Sequence, residues 1–530
     1  MEPGALEMEF TEGQKRRLLV ASFGALMAAG FGFVFRAMVP ELWGLEFHVT
    51  DSEVGQLFGA GIWPIAVMMI LNSFLIDKIG YKASMLAACF FQVVSVVLTM
   101  VAGSFEEMWW ACFFAGVGHG MVESAINPLC ISIYRTEKTK AMNILHAAWP
   151  AGLMAGGAIY LSLYMGADWA TARTAWIFML LPVIGYGTMF ALTTKMPVDE
   201  RVENNVPMLD MLREFGGLGM FLAATFLGYE LFNLLDLFGE GQYTRLTFSL
   251  VLGLVVGGVF GFAVKSKGKV MFFVLCLLMV PLATAEIATD GWIQNLMKPT
   301  MGQYSGWALV FSASIMMILR FGSGIPLKLT GGPLGLLLMS SIFSIIGLFA
   351  LSHVDGTLVF FAFVFYAVGQ TYYWPSILGF TAERFPKGGA LTLNTVSAIG
   401  LLTVGVFGFP FLGAVQDHYN AKSITQAQPQ LVRAVQSEGR VIEGTDTPIY
   451  DDKNLFGVSY STINPAAFMA QPDFPPAERE SLAATLTQTG RSTLRVAAVL
   501  PISMAIGFAL IMLWFRANGG YRPIVLGQEE

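Results

Sequence analysis

Fourteen apolar runs, each about 20 residues long, restrict this chain's fold more than any other property. A helix of that length crosses the hydrocarbon core of a bilayer. In lipid every backbone N–H and C=O must find a partner inside the protein, so such runs assemble as a helical bundle. The first six are Arg17–Val39, Ser52–Ile76, Ala83–Ala102, Met108–Tyr134, Ala141–Tyr164 and Ala172–Thr193. Two more, Gly216–Leu237 and Leu246–Val264, precede a final six: Val270–Thr289, Ser305–Ile325, Leu334–Ser352, Leu358–Phe380, Ala390–Phe411 and Leu494–Phe515. Composition agrees, with 55% hydrophobic and only 13% charged residues and a mean hydropathy of +0.62. No basic run suggests a nucleic-acid partner. The cysteines Cys89, Cys112, Cys130 and Cys276 lie in apolar runs without metal-type spacing and read as packing residues.

The outer sets of six repeat each other at a separation of about 250 residues. Glu41 and Trp43 pair with Asp290 and Trp292, VMMIL at 67–71 with IMMIL at 315–319, Gly118 with Gly369, and Asn143 with Asn394. Ordered matches along the whole length predict a duplicated six-helix unit, with parallel repeats related by an axis along the membrane normal. The resulting plan is all-α: a tail 1–16, a six-helix bundle 17–194, a linker 195–215, an inserted membrane hairpin 216–264, second-bundle helices over 269–413, a long polar loop 414–493, a final helix 494–516 and a tail 517–530. Gly253, Gly257 and Gly261 in the hairpin predict a close-packing helix face. Lys and Arg concentrate in alternate short loops, among them Lys15–Arg17, Lys78 and Lys82, Arg135–Lys140 and Lys265–Lys269. By the positive-inside tendency both termini are cytoplasmic, in a plasma (inner) membrane, and 414–493 lies outside as a disordered cap or a small helical lid.

Polar groups inside apolar runs are costly and usually face a bundle interior or a water-filled cavity. Glu123, four residues before Asn127-Pro128, is the foremost; Asn143, His146 and Trp149 follow in the next run. Arg36 and Glu286 are further cavity candidates, with an interfacial anchor as the alternative for Arg36. Arg320 reads as a cytoplasmic-interface anchor or a structural ion pair, and Asp290 as interfacial. In the second half Gln370, Trp374 and Asn394 complete the set: amides bond hydroxyls, and rings stack on the apolar faces of sugars. There is no phosphate loop, nucleophile elbow or zinc spacing, so an enzyme, a cofactor and a metal site are not expected.

Two duplicated bundles resemble the major facilitator superfamily, as does the loop LIDKIGYKASM at 75–85, where Gly80 makes a tight turn between helices. ESAINPL at 123–129 followed by KAMNILHAAW at 140–149 resembles the fucose–proton symporter group of sugar transporters. The resemblance implies a helix-four carboxylate at Glu123 for proton coupling and sugar contacts at Asn143 and His146, where the group has asparagine and glutamine. The group's acidic site in helix one is Arg36 here, which departs from its two-carboxylate scheme. The expectation is an alternating-access transporter of a small polar solute, a sugar or sugar derivative, with Glu123 and Glu286 as proton-coupling candidates. Arg36, Asn127, Asn143, His146, Trp149, Gln370, Trp374 and Asn394 are the substrate-binding candidates. The alternatives are an anion carrier using Arg36, or a solute receptor that does not transport. The expected partners are the solute, protons and the lipid bilayer, around a monomer. Arg36 is expected to pair with Glu123, and failing that with Glu286.

Overall fold

The computed structural model describes residues 10–49, 51–238, 241–291, 297, 301–354, 358–442 and 447–526. Trp292, half of one repeat match, lies outside them. Each of the fourteen apolar runs is helical over most or all of its described length. Among the described residues, ten helices are long and apolar enough to cross a membrane by length and composition.

The first half consists of α1 (Glu12–Ala37), α2 (Asp51–Val101), α3 (Phe105–Ile133), α4 (Lys138–His146), α5 (Ala148–Leu163) and α6 (Leu180–Ala191). Helix α2 holds two expected runs, joined at Gly80, whose φ of 78° supplies the predicted tight turn at a conformation costly for other residues. The middle pair is α7 (Met208–Leu234) and α8 (Gln242–Val264). The second half comprises α9 (Val270–Ala283), α10 (Gly306–Phe321), α11 (Pro333–Leu351), α12 (Leu358–Gln370), α13 (Tyr373–Arg384) and α14 (Gly389–Thr403), followed by α15 (Phe409–Ala427), α16 (Arg479–Ala497) and α17 (Val499–Ala517). Two π-helical turns, Thr284–Ala288 after α9 and Val404–Gly408 after α14, pack together: a Cβ on Gly408 would lie 2.9 Å from that of Ala288. Such turns are rare and often sit at functional sites.

The halves meet along two seams, α5 against α10 and α2 against α14. At the end bearing the basic loops the seam is pinned by polar contacts. Thr139 donates its hydroxyl to Glu383 at 2.5 Å, and Lys138 pairs with Glu200 of the linker at 2.6 Å. Arg201 of the linker pairs with Asp77 in the Gly80 loop. The tail adds two bonds, Ile524 N–H to the Glu383 carbonyl at 2.8 Å and Leu526 N–H to Glu200 at 3.3 Å.

The segment 414–493 is neither a bare loop nor purely helical. Helices α15 and α16 extend the eleventh and twelfth spans of the two bundles beyond the apolar runs, and between them lies a hairpin of β1 (Tyr450–Leu455) and β2 (Val458–Ile463). Its own core gathers Ile424, Val435, Ile449, Ile463, Phe468 and Phe474. Phe456, at the hairpin tip, meets Tyr229 of α7 and Phe407 of the second π turn.

Within the middle pair the three spaced glycines press α8 against α7. A Cβ on Gly257 would lie 2.8 Å from the Gly217 carbonyl and 2.9 Å from Phe221. The pair's two ends are also bonded side by side, Gly217 N–H to Ser266 O at 3.0 Å and Leu218 N–H to Lys267 O at 2.9 Å. Gly257→Leu has no room without separating these backbones and should destabilise the pair by about 1–3 kcal/mol. A lower unfolding temperature of the purified protein, with Gly258→Leu unaffected because nothing lies within 4 Å there, checks this.

Candidate functional site

The first half contributes a short chain of polar side chains from α3 and α4. Glu123 and Asn127 are one helical turn apart, so they share a face. Asn127 donates its amide to Glu123 at 2.8 Å, and its oxygen meets the His146 ring at 2.9 Å. His119, one turn earlier, lies 3.7 Å from the other Glu123 oxygen and stacks on Trp149. Glu123, Asn127, His146 and His119 are buried, and Trp149 is half-buried.

The second half contributes a cluster around Arg320. Its guanidinium pairs with Glu286 at 2.7 Å and donates to the Thr371 carbonyl at 2.6 Å and the His146 carbonyl at 2.8 Å. The other Glu286 oxygen accepts the Trp374 backbone N–H at 3.1 Å. Asp290 accepts from Gln370 at 2.9 Å and more distantly from Tyr366 at 3.4 Å. Gln370 also reaches Ser312 at 2.9 Å. Side chains and one backbone carbonyl therefore form a buried path, from His119 and Glu123 through Asn127 to His146, whose carbonyl carries it across the seam to Arg320 and Glu286. Removing one member of the Arg320–Glu286 pair would strand a buried charge at a cost of about 3–5 kcal/mol.

The repeat-related asparagines both reach across the seam. Asn143 donates to Ser376 at 3.3 Å, and Asn394 donates to Ser73 at 2.8 Å and to the Ser124 carbonyl at 3.0 Å. The side-chain oxygens of Asn143, Gln370 and Asn394 are buried and accept no bond among the described residues, a set of open acceptors in both halves. Gln370 belongs to the Asp290 cluster, while Asn143 joins α4 to α13 and Asn394 joins α14 to α2 and α3.

Three expectations need correction. Arg36 does not meet Glu123 or Glu286; among the described residues its side chain forms no ion pair or hydrogen bond. It packs near Gly32, Gly61 and Met179, beside Cys112. Cys112 stands eleven residues before Glu123 on α3, about 16 Å along the helix at 1.5 Å per residue, too far for the pair. Arg320 is no interfacial anchor but the buried hub of the second half, as the structural ion-pair alternative had it. Asp290 is buried and bonded to Gln370 rather than interfacial. His119 was missed, although its spacing of four from Glu123 was visible.

The family model described as Major Facilitator Superfamily matches residues 21–413. The chain belongs to that superfamily. Multi-pass membrane insertion follows from membership together with the apolar helices. Similar solved structures include an E. coli fucose:proton symporter variant, 12% identical, with a TM-score of 0.51 and covering 92% of this chain and 98% of that one. An auto-inhibited peptide transporter of the POT family is 11% identical, with a TM-score of 0.60 and covering 97% of this chain and 99% of that one. At those identities the likeness concerns the fold. A curated relative, a probable sulfoacetate transporter of Cupriavidus necator, is 27% identical over 151 residues, 28% of this chain. The match spans about a third of that protein.

The linker that bridges the seam also carries a titration. Burial pushes the Asp199 carboxyl up to about 6, against bonding to the Arg201 backbone N–H, which lowers it. Because the folded value lies above the ordinary 3.8, the stabilisation is complete below about 4 and is lost as pH rises through about 6. Hydrogen exchange across residues 199–206 should therefore quicken over that window, and Asp199→Asn should abolish the dependence.

Proposed function

We propose that this protein is a secondary active transporter that moves a small neutral, hydroxyl-bearing solute, a sugar or sugar derivative, by alternating access, with Glu123 exchanging a proton. The observation that carries this reading is the buried polar path across the seam together with the open amide oxygens of Asn143, Gln370 and Asn394. Open acceptors suit hydroxyl donors. The charges at the second-half end of the path favour a neutral solute over an anion: the guanidinium there, Arg320, is already paired with Glu286 and has Asp290 close by. The fucose:proton symporter among the structural neighbours is consistent with this reading, at the level of fold. In the same reading Asn127, Asn143, His146, Gln370 and Asn394 contact solute, Trp149 and Trp374 shape the cavity, and no catalytic role is assigned.

A second reading, an organic-anion carrier, is favoured by one specific observation. Arg36 is a buried guanidinium with no partner among the described residues, and a charge that cannot be shed calls for a counter-ion. The curated relative's name, a sulfoacetate transporter, points the same way.

Reconstituted vesicles separate the readings. Glu123→Gln keeps hydrogen bonding but cannot release a proton, so it should leave solute exchange intact and abolish accumulation driven by a pH gradient. Accumulation equal to the parent's would remove Glu123 from the coupling role. Arg36→Ala should leave neutral-solute uptake within about twofold of the parent; loss of uptake confined to carboxylate or sulfonate solutes would establish the anion reading instead.

The topology we propose has fourteen spans, both termini cytoplasmic in a plasma (inner) membrane, a monomeric chain, and residues 216–264 as an insertion in the duplicated unit. The bonds from Gly217 to Ser266 and from Leu218 to Lys267 support the last point, because the ends of the pair are already adjacent. Excising 216–264 with a short linker should leave a chain that inserts, stays monodisperse and binds solute. An aggregated product would make the pair part of the core.

A further inference from the structure

Three prolines interrupt the helices that carry the central path, and each frees a carbonyl. A helical carbonyl normally accepts from the N–H four residues later, which proline lacks. Pro128 leaves the Ser124 carbonyl without that donor, Pro150 leaves His146 and Pro375 leaves Thr371. An unmet carbonyl in a bundle interior costs several kcal/mol, so something must fill it.

All three are filled by side chains of the second half. Asn394 donates to Ser124 O at 3.0 Å, and Arg320 donates to His146 O at 2.8 Å and Thr371 O at 2.6 Å. The Thr371 carbonyl belongs to the same half as Arg320; the Ser124 and His146 carbonyls belong to the other half. The guanidinium fork suits this task because its donors point in fixed, divergent directions, and here the third of them meets Glu286.

Resting on the alternating-access reading above, we propose that Arg320 is a positioning residue for transport: it pins the two halves together by occupying the carbonyl that Pro150 vacates, and access changes when that bond breaks. Glu286 and Thr371 hold the guanidinium in the second half throughout. Of the three bonds that Arg320 makes, that to His146 crosses the seam, so separation of the halves must sever it. On separation an acceptor on α4 and a donor on Arg320 are released together at the depth of Asn127 and His146. A hydroxyl group, donor and acceptor at once, can satisfy both.

Alanine at 150 restores an N–H that competes with the guanidinium for the His146 carbonyl, and it leaves every charge in place. Alanine at 375 does the same for Thr371 but within one half. The test measures separations between spin labels at Thr136→Cys and Lys387→Cys, on opposite halves at the basic end, in full-length protein with its four native cysteines replaced. Pro150→Ala should raise the widely separated population several-fold, whereas Pro375→Ala should reproduce the parent distribution, with both variants keeping the parent's thermal unfolding. Glu383→Gln, which loosens the Thr139 contact at that end, serves as an independent release. A shift with Glu383→Gln but none with Pro150→Ala overturns the pin alone. No shift in any variant overturns the pin and counts against alternating access as well. Equal shifts from Pro150→Ala and Pro375→Ala overturn the pin too, because the effect would then be helix straightening.

Discussion

A guanidinium cannot escape burial by losing its proton, so every element around Arg320 must be arranged to receive it. Glu286 comes from the π turn after α9, Thr371 from the break between α12 and α13, and His146 from the break between α4 and α5. These irregularities would each be a liability in lipid. Placed around one cation they satisfy one another, and the unwound backbone is confined to the bundle interior where such exceptions are tolerated. Bringing α5 of one half to α10 of the other is part of the same solution, because one of the acceptors belongs to the first half.

Much of this was legible in the sequence. Run length and polarity located the helices because lipid leaves few alternatives. The turn at Gly80 was visible because a positive φ there selects glycine. Glu123, Asn127 and His146 were recognisable as a set, since a spacing of four puts two of them on one face and the loop 134–137 returns the chain beside it. The three glycines of the second inserted helix were legible for the same reason, their spacing leaving a flat strip against α7.

What was not legible depended on depth. Arg320 lies near the end of an apolar run, which reads as interface, but the chain stays largely helical through Gly324–Leu329 and carries the end of the span beyond it. Arg36 is also near the end of its run, and its expected partner shared a bundle with it; the offset of about 16 Å along α3 was hidden because linear order does not register helices against each other. Asp290 also stands at the end of its run, and its bond to Gln370, 80 residues away, could not be read from linear order. The polar segment 414–493 lacked a membrane signal, and its fold depends on long-range contacts among a few scattered apolar residues that linear order does not announce.

The lid has a mechanical consequence. It stands on α15 and α16, which continue into the bundle through the second π turn and α17, so it is carried on two stiff rods. Helix α15 alone is 19 residues, about 28 Å at 1.5 Å per residue. A small tilt of the rods at the π turn becomes a much larger sweep at the far end, while the Phe456 tip rests at the pivot itself, between Phe407 of the π turn and Tyr229 of α7. Seen this way the lid is a pointer on a lever, reporting outside the bundle a rearrangement that inside it amounts to the breaking of a few hydrogen bonds.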